Sequence, residues 1–192
     1  GGWLRLNLTT ALGSIGAGTT KHLVGGTLIN AGTLTMADAL NIGTDSYAAT
    51  NYGVISNLVS GIVNVTSDLG IHSYYNNGLI YNLGSFNKTA GTGNSSISSV
   101  FHNYGTLEAQ VGTFNFNTAG GLVSHNGTMA LGLTGTNAYG RITVSGTVGL
   151  NGTLRVDPRA GYVPQAGDRF TLLTAGTRTN TYAKLQLGQT PG

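Results

Sequence analysis

Short apolar segments separated by glycines run along the whole 192-residue chain. Within them, apolar and polar side chains alternate, as at Leu34 and Met36, which are separated by one threonine. This two-residue spacing is typical of a strand that buries one face. The pattern predicts many short β-strands, each with one face inward.

A polar pair, a glycine and a short strand recur at intervals of 19 to 27 residues. The glycines of this series are Gly26, Gly53, Gly78, Gly105, Gly127 and Gly146. One unit of about 25 residues cannot bury its own apolar face, whereas stacking units about 4.8 Å apart does so and pairs their backbones. We interpret the chain as a parallel β-solenoid of roughly eight coils, with these glycines at its corners. A closed barrel or a β-sandwich is the alternative fold.

Asparagines precede several of these glycines. Asn51, Asn76 and Asn103 recur near the coil period. Stacked side-chain amides can hydrogen-bond along a fibre or solenoid axis. The spacing therefore predicts an asparagine ladder through these three residues.

Composition narrows the class further. The chain has 32 glycines, no cysteine, and only 8% charged residues. These values disfavour helices and exclude disulfides, zinc-thiolate sites and thiol nucleophiles. The net charge of +3 is concentrated in isolated arginines after residue 140, so we expect no nucleic-acid binding. Lack of cysteine, a start at Gly1 and the absence of a long apolar run suggest part of an exported protein, with no membrane insertion by this segment.

Two segments near the C-terminus carry a family resemblance. The order ITVSGTVGLNGTLRV (142–156) and GYVPQAGDRFTLLTA (161–175) resembles the closing coils of bacterial autotransporter passenger domains and related large secreted β-helix surface proteins and adhesins. The resemblance implies a right-handed parallel β-helix at the cell surface. The pattern also changes at Arg141, and the turn at Pro164 suits a terminal region. We therefore expect residues 1–140 to form coils and residues 141–192 to form the terminal coils and C-terminal cap of the same domain.

Motifs for chemistry are weak. Gly13–Lys21 lacks the lysine directly after its last glycine that a phosphate loop needs. Asp68 and Glu108 are not a whole number of coils apart, which disfavours the paired carboxylates of a glycosidase. The histidines lack metal-ligand spacing. We expect no catalytic, cofactor-binding or metal-binding residues, no cofactor, and no enzymatic activity.

The sequence thus favours an extracellular or cell-surface structural solenoid, namely a stalk, an adhesin segment or a filament subunit. Alternating strands lie at both ends and could pair with another copy, or could complete their own end coils. Their candidate assembly residues are Trp3, Leu4, Leu6, Leu8, Leu185 and Leu187. Partners would be a second copy or surface glycans and proteins. The alternative function is a carbohydrate-binding or carbohydrate-cleaving β-helix, with a sugar-stacking face formed by Tyr47, Tyr52, Tyr74, Tyr75, Tyr81 and Tyr104.

Overall fold

The structure, a computed structural model, describes residues 3–6, 12–16, 21–44, 52–117, 122–124 and 126–188. These residues form strands and connecting turns, with no helix among them. The strands are β1 (Trp3–Leu6), β2 (Leu12–Ile15), β3 (Lys21–Val24), β4 (Thr27–Asn30), β5 (Thr33–Met36), β6 (Leu40–Gly43), β7 (Gly53–Asn57), β8 (Ile62–Val65), β9 (Ile71–Tyr74), β10 (Gly78–Asn82), β11 (Ser85–Lys88), β12 (Asn94–Ile97), β13 (Val100–Asn103), β14 (Thr106–Ala109), β15 (Thr113–Phe116), β16 (Leu122–Ser124), β17 (Thr128–Leu133), β18 (Arg141–Gly149), β19 (Thr153–Pro158), β20 (Leu173–Thr179) and β21 (Lys184–Leu187).

From β1 to β15, each strand pairs in parallel with the strand three places further along the chain, which produces three stacks of strands. From β16 to β19, each strand pairs in parallel with the strand two places further along. Flank 1 contains β1, β4, β7, β10, β13 and β16; flank 2 contains β2, β5, β8, β11, β14, β17, β19 and β21; flank 3 contains β3, β6, β9, β12 and β15. The longer β18 and β20 each pass from flank 3 to flank 1. The predicted all-β parallel solenoid is confirmed. Its hand and its number of coils stay predictions.

Pairing in register aligns inward side chains into columns. One column of flank 2 contains Leu34, Val63, Phe86, Leu107, Met129 and Leu154. At the centre, Phe86 of flank 2 contacts Phe101 of flank 1 and Phe114 of flank 3, with ring centroids 5.1 and 5.8 Å apart. These rings are fully buried. Aromatic packing of this kind ties all three flanks to one core.

The corner between flanks 1 and 2 carries a column of glycines. Its members are Gly32, Gly61, Gly84, Gly105, Gly127 and Gly152, each one residue before a flank 2 strand. The amide of Thr106 donates to the carbonyl of Gly84 at 2.8 Å, and that of Thr128 donates to Gly105 at 2.8 Å. A Cβ on Gly105 would lie 2.1 Å from the Gly84 carbonyl oxygen. Glycine is therefore required here by the close approach of successive coils.

The predicted single series of corner glycines is corrected in part. Gly105 and Gly127 belong to the column just described, but Gly53 and Gly78 pair with each other at the corner between flanks 3 and 1. Gly26 lies at this second corner, where its carbonyl accepts from Val54 at 2.8 Å. Gly146 lies within β18, beside the shift in register with β20. Glycine is needed at both corners because backbones of successive coils come close together there. The spacing of glycines along the sequence therefore did not show which corner each glycine occupies.

The physical role assigned to these glycines also changes. Gly53, Gly78, Gly105 and Gly127 do not have positive φ. A Cβ on Gly53 would lie 2.2 Å from the amide nitrogen of Gly43. Space, rather than a left-handed backbone, excludes larger side chains at these positions.

Candidate functional site

Four buried asparagines form a hydrogen-bonded ladder beside the glycine column. They are the last residues of β4, β7, β10 and β13, namely Asn30, Asn57, Asn82 and Asn103. Each Nδ2 donates to the Oδ1 of the next asparagine at 2.8 Å. Each Nδ2 also donates to a backbone carbonyl of the neighbouring coil, as from Asn82 to Thr106 at 2.8 Å. Buried amides are thus satisfied along the axis, as burial of polar groups requires.

The predicted ladder is correct at one of its three residues, wrong at a second and untested at the third. Asn103 belongs to the ladder, Asn51 lies outside the described residues, and Asn76 is exposed in a turn with φ of 59°. Asn76 comes before a glycine of the second corner, so it cannot join the column. The missed signal is an asparagine that ends each flank 1 strand shortly before the glycine of the first corner. The asparagine is two residues before that glycine at Asn82 and four residues before it at Asn57.

A buried lysine joins two coils at the corner between flanks 2 and 3. Lys88 lies in an inward column with Val65 and Ala109, and its side chain is fully buried. Its Nζ donates to Asp68 Oδ1 at 2.9 Å, to Ser95 Oγ at 3.0 Å, and to two backbone carbonyls. The hydrogen bond from Lys88 lowers the pKa of Asp68. We call Lys88, Asp68 and Ser95 the lysine clamp.

The proximity of a serine and a lysine does not make the clamp a nucleophilic pair. A base must be able to accept the serine proton. Lys88 instead donates to four oxygen atoms, one of them a carboxylate, and the Ser95 hydroxyl donates to the carbonyl of Ser67 at 2.8 Å. This arrangement fixes the corner and leaves no open side for a substrate, because Lys88 and Ser95 are both buried.

A second charged network lies on the outward side of flank 2. Glu108 is buried, forms an ion pair with Arg159, and lies 3.8 Å from Arg155. Arg155 also donates from Nε to Asp157 at 2.8 Å. Both carboxylates are therefore paired with arginines. Glycoside hydrolysis needs one carboxylic acid that can donate a proton to the leaving group, a role that this pairing disfavours.

The two end strands have different surroundings. The backbone of β1 pairs with β4, which places Trp3, Leu4 and Leu6 in the first described coil; Leu8 lies outside the described residues. β21 pairs with β19, and Leu185 and Leu187 continue the inward columns of flank 2. Leu185 and Leu187 are nonetheless 68% and 73% exposed. Inward positions of the last described coil thus face solvent.

The tyrosines proposed as one sugar-stacking face are dispersed. Tyr74 and Tyr75 contact each other at the second corner with centroids 4.7 Å apart. Tyr81 stacks on His102 on the outward side of flank 1, with centroids 5.0 Å apart. The exposed Tyr52 precedes β7, the exposed Tyr104 lies at the glycine corner, and Tyr47 is outside the described residues. No common face includes those described.

Two side loops of the C-terminal coils pack through aromatic rings. Tyr139, in the loop before β18, contacts Phe170 with centroids 5.3 Å apart, and Phe170 contacts Tyr162. The Tyr162 hydroxyl donates to Asp168 at 2.5 Å, which raises the pKa of Tyr162 to about 12. The guanidinium of Arg141 lies 4.2 Å from the centroid of the Tyr139 ring. These loops build a polar and aromatic surface beside the C-terminal coils.

Within the described ranges, no group of three or more histidine, aspartate or glutamate side chains could hold a metal ion. No helix of the described chain is long and apolar enough to span a membrane. No protein-family model, curated protein or solved structure matches this chain.

Proposed function

We propose that this chain is a non-enzymatic structural solenoid of an extracellular or cell-surface protein, acting as a stiff stalk or adhesin segment. The observation that carries the proposal is the asparagine ladder beside the glycine column. The ladder joins successive coils by side-chain hydrogen bonds, and the glycine column joins them by backbone hydrogen bonds. Both lie beside the packed core. The resemblance to secreted β-helix proteins supports the same function and location.

Stiffness follows from the way the coils are joined. Separating two coils has to break the pairing of three strands, the ladder bond and the apolar contacts of the core together. A buried amide left without a partner is costly, so the ladder resists partial opening. Such a repeat unit extends reach without needing a reactive group.

Single-molecule pulling between the two chain ends tests this function. We expect discrete force peaks, each releasing about one coil of 25 residues, or about 85 Å of contour. Asn82→Ala should lower the force of the central peaks, whereas the exposed Asn117→Ala should leave them unchanged. Smooth extension at low force, without peaks, would contradict a mechanical role.

End-to-end assembly is an extension of this proposal. The second edge of β21 carries no strand among the described residues, and Leu185 and Leu187 are exposed beside it. A strand with free backbone groups and apolar inward positions is a template for another strand. We propose that it takes an end strand of a second copy, so that association is heterologous and extends the rod.

Sedimentation over a range of concentrations distinguishes two hypotheses: that the end strands pair with a second copy, and that they only complete the end coils of their own chain. Association is expected to increase with concentration and to be lost in the double variant Leu185→Lys, Leu187→Lys. The control Val163→Lys changes an exposed apolar residue of a side loop and should not alter association. A wild-type monomer at all concentrations would overturn the assembly step while leaving the stalk proposal intact.

A further inference from the structure

Two surface depressions meet at Arg141, on the corner between flanks 2 and 3. Thr92, Thr113 and Asn137 are among the residues that line one of them, and Thr143, Thr171 and Thr174 line the other. Arg141 and Tyr139 line both. The lining residues come from successive coils, so the depressions follow each other along the axis. We call them together the Arg141 groove.

Arg141 supplies the charge of this groove. The other residues that line the two depressions are hydroxyl, amide, aromatic, aliphatic and glycine residues. The ion pairs found among the described residues use other cations, namely Lys21, Lys88, Arg155 and Arg159. Because no carboxylate balances Arg141 in the groove, the local charge favours an anion.

The hydrogen-bonding capacity of Arg141 is also unfilled. Its Nε is buried and has no hydrogen-bond partner in the described part of the chain. A buried charged donor without a partner is costly. An oxygen atom of a bound anion would remove this cost, and a carboxylate matches the planar fork of a guanidinium.

The guanidinium is held in place by its neighbours. Its position over the Tyr139 ring is a cation–π contact. Tyr139 is in turn packed edge-on against Phe170, and its hydroxyl accepts from the amide of Thr171 at 3.4 Å. A charge held in place before binding loses little conformational entropy when a ligand arrives.

We propose that the Arg141 groove binds a saccharide that carries carboxylates, with a carboxylate on Arg141. Threonine hydroxyls and the Asn137 amide both donate and accept hydrogen bonds, so they match the hydroxyls of a sugar on either side of the carboxylate. An acidic peptide would offer the carboxylate but few such hydroxyls. The site does not depend on the mechanical function proposed above.

Calorimetric titration with tetragalacturonate tests the site, with the fully methyl-esterified tetrasaccharide as a neutral ligand of the same length. We expect the acid form to bind and the ester to bind at least tenfold more weakly, because the ester removes the charged contact. A glutamate tetrapeptide should bind more weakly than tetragalacturonate. Equal binding of acid and ester, stronger binding of the peptide, or no binding of the acid would overturn the proposal.

Protein variants locate the binding. Arg141→Gln should weaken binding of tetragalacturonate about tenfold to a hundredfold, and Arg141→Lys should lose less because it keeps the charge. The matched control Arg178→Gln removes the same charge from an exposed position of β20 and should bind as the wild type does. Unchanged affinity in Arg141→Gln would overturn the assignment.

Thermal unfolding of each variant shows whether the fold is retained. If Arg141→Gln does not fold, Asn137→Ala tests the site instead. Asn137 is exposed in the loop after β17, so its substitution should leave the fold intact. We expect Asn137→Ala to weaken binding severalfold with an unchanged melting temperature. Affinity equal to that of the wild type in this variant would contradict a site in the Arg141 groove.

Discussion

The central coils, β7 to β15, and the last coils, β18 to β21, share one backbone pattern but differ in what surrounds it. In the centre, inward residues such as Ile55, Ile80 and Phe101 are fully buried between two neighbouring coils. At the end, the same column continues through Val148 to Arg178, which is exposed. Burial in a solenoid is thus supplied by the coils on both sides, more than by the coil itself.

Charge is also used differently in the two regions. The central coils enclose Lys88 completely and satisfy it with oxygen atoms of two coils. The C-terminal coils place Arg141, Arg155 and Arg159 on their outward sides and in side loops. Arg155 and Arg159 lie beside the buried Glu108 of β14, so charge joins coils there as well. The centre encloses its lysine completely, whereas the end leaves Arg141 beside a surface groove.

The largest expected effect tests the glycine corner of the central coils. Gly105→Ala places a Cβ 2.1 Å from the Gly84 carbonyl oxygen, and neither backbone can move without shifting a coil. We expect a loss of about 4 kcal/mol or more in the free energy of unfolding, measured by urea denaturation. Gly135→Ala is the control, since its nearest atom would be 4.0 Å away; equal losses for the two variants would contradict the close-approach argument.

A somewhat smaller effect is expected at the lysine clamp. Asp68→Asn leaves the ammonium of Lys88 buried with neutral acceptors alone, which should cost about 3 kcal/mol. Asp168→Asn should cost clearly less, because this half-buried carboxylate of a C-terminal loop accepts from a tyrosine hydroxyl and is not the partner of a buried ammonium. Both losses can be measured by urea denaturation at pH 7, and an equal or larger loss at Asp168 would remove the distinction between the two regions.

The asparagine ladder gives the next effect. Asn82→Ala removes two buried bonds between side chains, with Asn57 and Asn103, and one to the carbonyl of Thr106. It should cost about 2 kcal/mol. Asn117→Ala, at an exposed position after β15, is expected to stay within about 0.5 kcal/mol of the wild type. A near-zero loss for Asn82→Ala would show that the ladder does not contribute to stability.

The smallest expected effect is a dependence on pH. Because Lys88 lowers the folded-state pKa of Asp68, the stability from this carboxylate is present above its unfolded pKa of about 3.9 and is lost as pH falls through the folded value. The stability gap between wild type and Asp68→Asn should therefore narrow between pH 5 and pH 2. A gap that stays constant or widens over this range would contradict the ion pair.

Local patterns predicted the solenoid because alternation and corner glycines repeat within every coil. Register was harder to predict, because a glycine such as Gly53 or Gly105 can serve either of two corners. The position of Asn82 in the ladder depends on the register of the strands, so it was missed when the register was not predicted. The burial of Lys88 could be predicted only from its position in an inward column, which the sequence alone did not show. The Arg141 groove was missed because the loops that line it do not repeat along the chain.

Native-state hydrogen exchange measures whether each coil is stabilised by its neighbours, because it compares amides in both regions of one molecule. We expect amides of β7, β10 and β13 to exchange only through global unfolding, whereas those of β21 exchange through local opening at a much lower free energy. Asn82→Ala should reduce protection in the central strands. Protection of β21 equal to that of β10 would show that a coil does not need neighbours on both sides for its stability.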